Sequence, residues 1–261
     1  MKSIVLNGIK VFDHGNESSQ PIIFVHSFPM NSRMWDFQTG YFKEKYRVIT
    51  YDLRSFGQSK STDSNFTIES HSDDVLEIIN HLKLVKPVIC GLSMGGYIVL
   101  RTLEKAPDVF KAVILCDTKA EADANETKLK RALQIKQIKS GGRKDFVDSF
   151  IAGVLSPSNT GTSTEKISRD IISEQSDECI CSALMTMAAR ADKTSFLEHI
   201  NIPVLIIVGE DDKLTPIENS ISMQNKILVS RLEKIPKAGH FTNIENPSQF
   251  NNVFEAFMRN I

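Results

Sequence analysis

Between one apolar run, Pro87-Val88-Ile89-Cys90, and a second, residues 97–103, lies Gly91-Leu92-Ser93-Met94-Gly95. This G-x-S-x-G spacing restricts the fold more than any other stretch of the chain. A strand that turns at once into a helix packs backbone against backbone two residues either side of the turn, where a Cβ does not fit; hence the flanking glycines. The apex residue is held at strained dihedrals that push its side chain out of the turn. Here the apex is Ser93, so the pattern proposes an attacking hydroxyl and predicts its setting. A buried strand ends before it and a helix begins after it, running to the Pro107 break.

The rest of the chain is read against that turn. Strand-like runs at 3–7, 9–12, 22–26, 47–51, 87–91, 112–116, 204–208 and 230–235 alternate with helical periodicity at 68–84, 96–104, 217–227 and 247–258. The alternation predicts a mostly parallel sheet covered by helices on both faces. The first two runs form a hairpin around Asn7-Gly8. From 118 to 200 the strand signal stops, and Leu129, Leu133, Ile135 and Ile138, then Phe146, Val147, Phe150 and Ile151, recur at helical spacing. We therefore expect a core domain of residues 1–117 and 201–261, with a helical cap inserted at 118–200.

At 261 residues, 41% hydrophobic and 24% charged, the chain fits one large soluble domain with an insertion. A net charge near −1 gives no reason to expect nucleic acid or an anionic membrane as partner. No signal-peptide-like apolar stretch opens the chain and no run reaches membrane-spanning length, so a cytoplasmic location is the default expectation. Cys90 and Cys116 sit in strand-like runs as packed thiols. The Cys179-Ile180-Cys181 spacing is too short for the usual zinc pairs, so neither a metal nor a cofactor is expected.

A serine hydroxyl needs a base, and the base an orienting acid. His240, in a loop after the last strand-like run, is the candidate base. His71 and His81 fall on a helix, His199 closes the insertion and His14 lies in an N-terminal turn. The acid candidates follow the 204–208 run in Gly209-Glu210-Asp211-Asp212: Asp212 first, Asp211 second, with Asp117, directly after the 112–116 run, as a rival. An oxyanion needs two N–H donors, expected from Met94 and from Phe28 in the His26-Ser27-Phe28-Pro29 loop. His26 itself is assigned to fixing that loop. The Asp52–Ser59 segment is read as turn chemistry. Trp35 and Arg190 are candidate substrate contacts, Arg190 for a substrate carboxylate, although a surface salt bridge is its more ordinary fate.

Taken together, 26–29, 52–59, 91–96, 209–216 and 238–247 resemble the α/β-hydrolase superfamily in order and spacing, over nearly the whole chain outside the insertion. Within it the chain is most similar to carboxylesterases and the 3-oxoadipate enol-lactonase-like branch. The resemblance implies an eight-stranded sheet, a cap over the active site and a Ser93–His240–Asp212 triad. The family's G-x-x-D-x-x-T-P arrangement selects Asp212 over Asp211. It further implies a serine hydrolase acting on a small ester or lactone, without cofactor or metal. Two departures stand out: Ser27 and Ser55 occupy positions where relatives commonly carry glycine, and serine at a positive φ costs about 1 kcal/mol. Competing readings keep the triad for thioester or carbon–carbon cleavage, or make the chain a ligand receptor with weak turnover. Oligomeric state is not legible.

Overall fold

The computed structural model describes residues 1–60 and 66–261. Strands β1 (Lys2–Leu6) and β2 (Ile9–His14) form the expected hairpin, with Asn7 at φ 47° and Gly8 at φ 85°. Both central residues have positive φ, as the tightest hairpin turns require. Then follow β3 (Pro21–Val25), α1 (Asp36–Phe42), β4 (Arg47–Tyr51), α2 (Ile68–His81), β5 (Val88–Leu92), α3 (Met94–Lys105) and β6 (Ala112–Cys116). Four helices come next: α4 (Asn125–Lys139), α5 (Arg143–Val154), α6 (Ser163–Ser173) and α7 (Asp177–Ala189). The chain ends with β7 (Val204–Gly209), α8 (Ile217–Lys226), β8 (Ser230–Ile235), α9 (Thr242–Glu245) and α10 (Pro247–Met258).

The eight strands form one sheet in the order β1-β2-β4-β3-β5-β6-β7-β8. The β1–β2 and β2–β4 pairs are antiparallel and the other five are parallel. The mostly parallel, helix-flanked sheet expected from the alternation is therefore present. Strands β3 to β7 are buried on both faces, and their successive residues serve opposite layers. Ile23, Val25, Ile89, Val113, Leu115 and Ile206 join the layer under α2 and α3. Ile22, Phe24, Cys90, Ile114, Leu205 and Ile207 join the one containing Trp35, Phe250 and Phe254. Between β6 and β7 the described residues contain helices and no strand. No helix among the described residues is long and apolar enough to cross a membrane.

One boundary differs from the periodicity for a clear reason. The α2 pattern runs to residue 84, but the helix stops at His81 because Lys83 turns left-handed at φ 50°. The Leu84 N–H reaches back to the Ile79 carbonyl at 3.0 Å, and Leu84 is buried. This is the closing hydrogen bond and apolar contact of a helix C-terminus, so Leu84 keeps its inward place without being helical.

Helix α2 also buries His71 completely, with neither ring nitrogen hydrogen-bonded among the described residues. Burial holds its pKa down to about 3, against an ordinary 6.5. The unfolded chain takes up this proton near pH 6.5 and the folded chain only far below. The folded state therefore loses stability as pH falls from 6.5 toward 3. We expect His71→Leu to raise the melting temperature at neutral pH, by removing unsatisfied polar atoms worth about 1–3 kcal/mol. The advantage over wild type grows as the solution is acidified. Thermal melts across that range check it, and a variant less stable than wild type throughout contradicts it.

Candidate active site

The register brings the ends of β5, β6, β7 and β8 to one edge: Leu92 pairs with Cys116, Cys116 with Ile207, and Gly209 with Ile235. Everything the sequence nominated for the triad leaves the sheet at that edge. Ser93 sits between β5 and α3 at φ 53°, ψ −112°, with 6% of its surface exposed. Its N–H donates to the Cys116 carbonyl at 2.9 Å, and its carbonyl accepts from Gly96 N–H and Thr118 Oγ1, each at 2.8 Å. The glycines do what the spacing demands. A Cβ on Gly91 would lie 2.4 Å from the Gly95 carbonyl oxygen, and one on Gly95 would lie 2.3 Å from the Val25 oxygen. The start of α3 is thus pressed against the end of β3, where the loop containing Phe28 begins.

His240 is fully buried, and its Nδ1 lies 2.9 Å from Asp212 Oδ2. Asp212 in turn accepts from Leu214 N–H (2.8 Å) and Thr215 N–H (3.0 Å) on Oδ1, and from Thr215 Oγ1 (2.6 Å) on Oδ2. Burial pushes the Asp212 carboxyl up, but His240 and the Thr215 donors outweigh it and hold it below the usual carboxylate range. The carboxylate fixes the tautomer: Nδ1 carries the proton and Nε2 is the basic nitrogen. The imidazole is held through Nδ1 alone among the described residues. Nε2 is buried and has no hydrogen-bond partner among them, Ser93 Oγ included. Contacts of this kind commonly tighten only when substrate is bound.

Two rival acids are resolved by geometry. Asp211 accepts from Ser156 Oγ at 2.6 Å, and Asp117 accepts from Gly209 N–H at 2.9 Å and bonds Thr242 Oγ1. Neither hydrogen-bonds His240. Asp117 is fully buried. Its carboxyl is pushed well above the usual range by desolvation, then by the neighbouring Asp212 charge.

Around the nominated oxyanion donors, no hydrogen bond among the described residues uses the N–H of Phe28 or of Met94. His26 fixes the loop, as expected: Nδ1–H donates to the Ser27 carbonyl and Nε2 accepts from Leu53 N–H, both at 2.9 Å. Burial lowers its pKa to about 4, which keeps it neutral. Asp52 accepts from Ser32 N–H (2.8 Å) and Gln58 N–H (2.7 Å), the loop-anchoring role read from the sequence. Of the two serines noted as departures, Ser55 is left-handed at φ 66°, whereas Ser27 is not in the left-handed region. Ser27 Oγ donates to the Phe28 carbonyl at 3.1 Å, so its hydroxyl ties down the loop.

Two nominated substrate contacts are corrected. Trp35 is fully buried on the opposite layer, its ring 4.7 Å from that of Phe24 and 6.2 Å from that of Phe250. It is core and has no surface to offer a ligand. Arg190 is buried too, neither facing a substrate carboxylate nor lying on the surface. It donates to Asp123 Oδ1 (2.7 Å), the Met187 carbonyl (2.8 Å) and the Glu121 carbonyl (2.8 Å), and stacks 4.0 Å over the Tyr97 ring. It therefore ties the two ends of the helical insertion together. Sequence reasoning missed Phe146 and Phe150 of α5, whose rings lie 6.4 and 5.7 Å from that of Phe28. It also missed Thr215, whose place three residues after Asp212 was the available signal.

A sheet of this order, with a strained serine elbow and a carboxylate-held histidine after the last strand, defines a hydrolase architecture. A family model for the alpha/beta hydrolase fold matches residues 20–137 and 184–247, and the chain belongs to this family. Within it, the relatives point to the enol-lactonase-like branch. The chain is 30% identical to 3-oxoadipate enol-lactonase 2 of Acinetobacter baylyi, over 94% of this chain and 91% of that protein. Among solved structures, a thermophilic esterase from Thermogutta terrifontis superimposes with a TM-score of 0.93 and 30% identity, covering 100% of this chain and 99% of that one. The enol-lactonase from Burkholderia xenovorans shares the fold, with a TM-score of 0.89 at 24% identity over 99% of this chain and all of the other.

If the Asp212 contact orients His240, Asp212→Asn lowers kcat by about 10⁴-fold with little change in KM. Asp211→Asn stays within about twofold of wild type. Steady-state kinetics on any turned-over ester check both; equal losses in the two variants contradict the assignment.

Proposed function

We propose that the chain is a serine hydrolase that cleaves a small carboxylic ester or lactone through an acyl-enzyme on Ser93. The observation that carries this reading is His240, held by Asp212 at Nδ1 and unpartnered at Nε2, at the sheet edge where Ser93 is strained outward. His240 Nε2 takes the Ser93 proton as Oγ attacks the carbonyl carbon. The imidazolium that forms is stabilised by the Asp212 carboxylate. Negative charge developing on the carbonyl oxygen is met by the Phe28 and Met94 N–H groups, which meet no other acceptor among the described residues. As the tetrahedral intermediate collapses, His240 hands its proton to the leaving alkoxide. Water then releases the acyl group by the same route, and His240 returns the proton to Ser93. For a lactone, ring opening leaves the released hydroxyl on the acyl chain still bound to Ser93, and the second step frees a single hydroxy acid.

The four-helix insertion at 118–200 is the cap in this reading. Phe146 and Phe150 of α5 pack against Phe28 beside the oxyanion loop, which supports a compact apolar acyl pocket. Relatives named enol-lactonase and esterase agree with the bond type. Arg190, committed to Asp123 and two carbonyls, supplies no counter-ion for a carboxylate-bearing substrate, which favours uncharged esters and lactones.

A panel of short p-nitrophenyl esters, neutral lactones, carboxylated enol-lactones and acyl thioesters tests the proposal. The highest kcat/KM is expected on a neutral ester or lactone, with Ser93→Ala reducing kcat by about 10⁶-fold. A Ser93→Ala variant that retains turnover, or a panel in which no carboxylic ester or lactone is cleaved, overturns it.

A further inference from the structure

The Glu245 carboxylate, at the end of α9, is buried and lies outside the triad. Four N–H donors converge on it. Oε1 accepts from the backbone N–H groups of Gly239 and Phe241, each at 3.0 Å. Oε2 accepts from Ser156 N–H at 2.8 Å and from Asn159 Nδ2 at 3.0 Å. The first pair brackets His240 in sequence, one residue on either side. The second pair belongs to the α5–α6 connection of the insertion. One carboxylate therefore joins the histidine loop to the insertion, one oxygen to each.

Around this bridge the two segments touch directly. The His240 N–H donates to the Val154 carbonyl at 2.7 Å. A Cβ on Gly239 would lie 2.4 Å from the Val154 oxygen and 2.7 Å from the Ser156 nitrogen. Asn159 Nδ2 also donates to the Lys237 carbonyl at 3.0 Å, and Ser156 Oγ reaches Asp211. Burying a carboxylate is costly unless its lone pairs are met, and here all four bonds come from N–H groups. Desolvation holds the Glu245 pKa above the usual carboxylate range, and the four N–H donors limit the rise. The loop that carries the base is thus referenced to the insertion as well as to the sheet.

Building on the Ser93–His240 reading, we infer that Glu245 is a positioning residue that sets the His240 ring through its neighbouring peptides and couples its placement to the insertion. Glu245 meets neither imidazole nitrogen, so it acts on geometry. In Glu245→Gln one oxygen becomes an NH₂ group facing N–H donors, so one side of the bridge opens whichever way the amide turns. A displacement of the base of about 1 Å is enough to cost about 10²-fold in rate.

The test pairs kinetics with a readout that needs no substrate. Wild type and Glu245→Gln are compared for kcat and KM on a p-nitrophenyl ester, normalised to Ser93 sites titrated with a fluorophosphonate. Proton NMR of the free protein follows the low-field Nδ1–H resonance of His240, identified by its loss in Asp212→Asn. We expect kcat per titrated site to fall about 10²-fold, KM to change by less than about threefold, and the resonance to shift or exchange away. If Glu245→Gln does not fold, Asn159→Ala opens only the insertion side and gives the same pattern with a loss of about three- to tenfold. A lower melting temperature with unchanged kcat per site and an unchanged resonance overturns the inference. A raised KM alone, indicating substrate contact, overturns it as well. If wild type cleaves no ester or lactone, that failure belongs to the proposed function, and the resonance alone decides for or against Glu245.

Discussion

The placement of the Ser93 hydroxyl depends on backbone contacts that only glycine permits. Gly91 meets the Gly95 carbonyl, and Gly95 meets the end of β3, at distances no Cβ survives. A serine at φ 53°, ψ −112° costs of order 1–3 kcal/mol and persists only where its surroundings over-determine it. Here a parallel sheet core on one side and the start of α3 on the other do so. Further bonds to Cys116 and Thr118 tie the serine backbone to the neighbouring strand and its loop. The same contact presses the first N–H groups of α3 toward the loop containing Phe28, so Ser93 and the N–H groups proposed as oxyanion donors are placed by one packing event.

Electrostatics then separates the carboxyls around the histidine loop. Asp117, Asp211, Asp212 and Glu245 all surround it, and one of them contacts the imidazole. Asp212 is kept ionised by three donors besides His240. Asp117, deeper and beside that charge, is pushed up and ties β7 to Thr242. Asp211 and Glu245 hold the insertion against the loop. One carboxylate meets the imidazole, and the others serve as struts.

The sheet was legible because its strands are short apolar runs between turn residues, and the elbow because its glycines answer a steric demand. Chain order and loop position nominated Ser93, His240 and Asp212, with the G-x-x-D-x-x-T-P arrangement ranking Asp212 above Asp211, and of the rival acids only Asp212 hydrogen-bonds His240. Trp35 and Arg190 were misread for one reason: size and charge suggest surface roles, while burial depends on distant partners. Trp35 meets Phe250 across more than 200 residues, and Arg190 meets Asp123 across 67. In the insertion, Leu129 and Leu133 keep helical spacing yet face outward, because α4 packs against α7 through another side. Glu245 carried no signal of its role, since two of its four donors come from the α5–α6 connection, more than 80 residues away.

The claim on which the account rests is that Ser93 is the one activated nucleophile. Intact-mass measurement after exposure to a fluorophosphonate, followed by peptide mapping, tests it most directly. The account predicts a single stoichiometric adduct on the peptide containing Ser93, absent in Ser93→Ala and slowed in Asp212→Asn. Adduct on another serine in Ser93→Ala, or no adduct on the folded wild type, contradicts it.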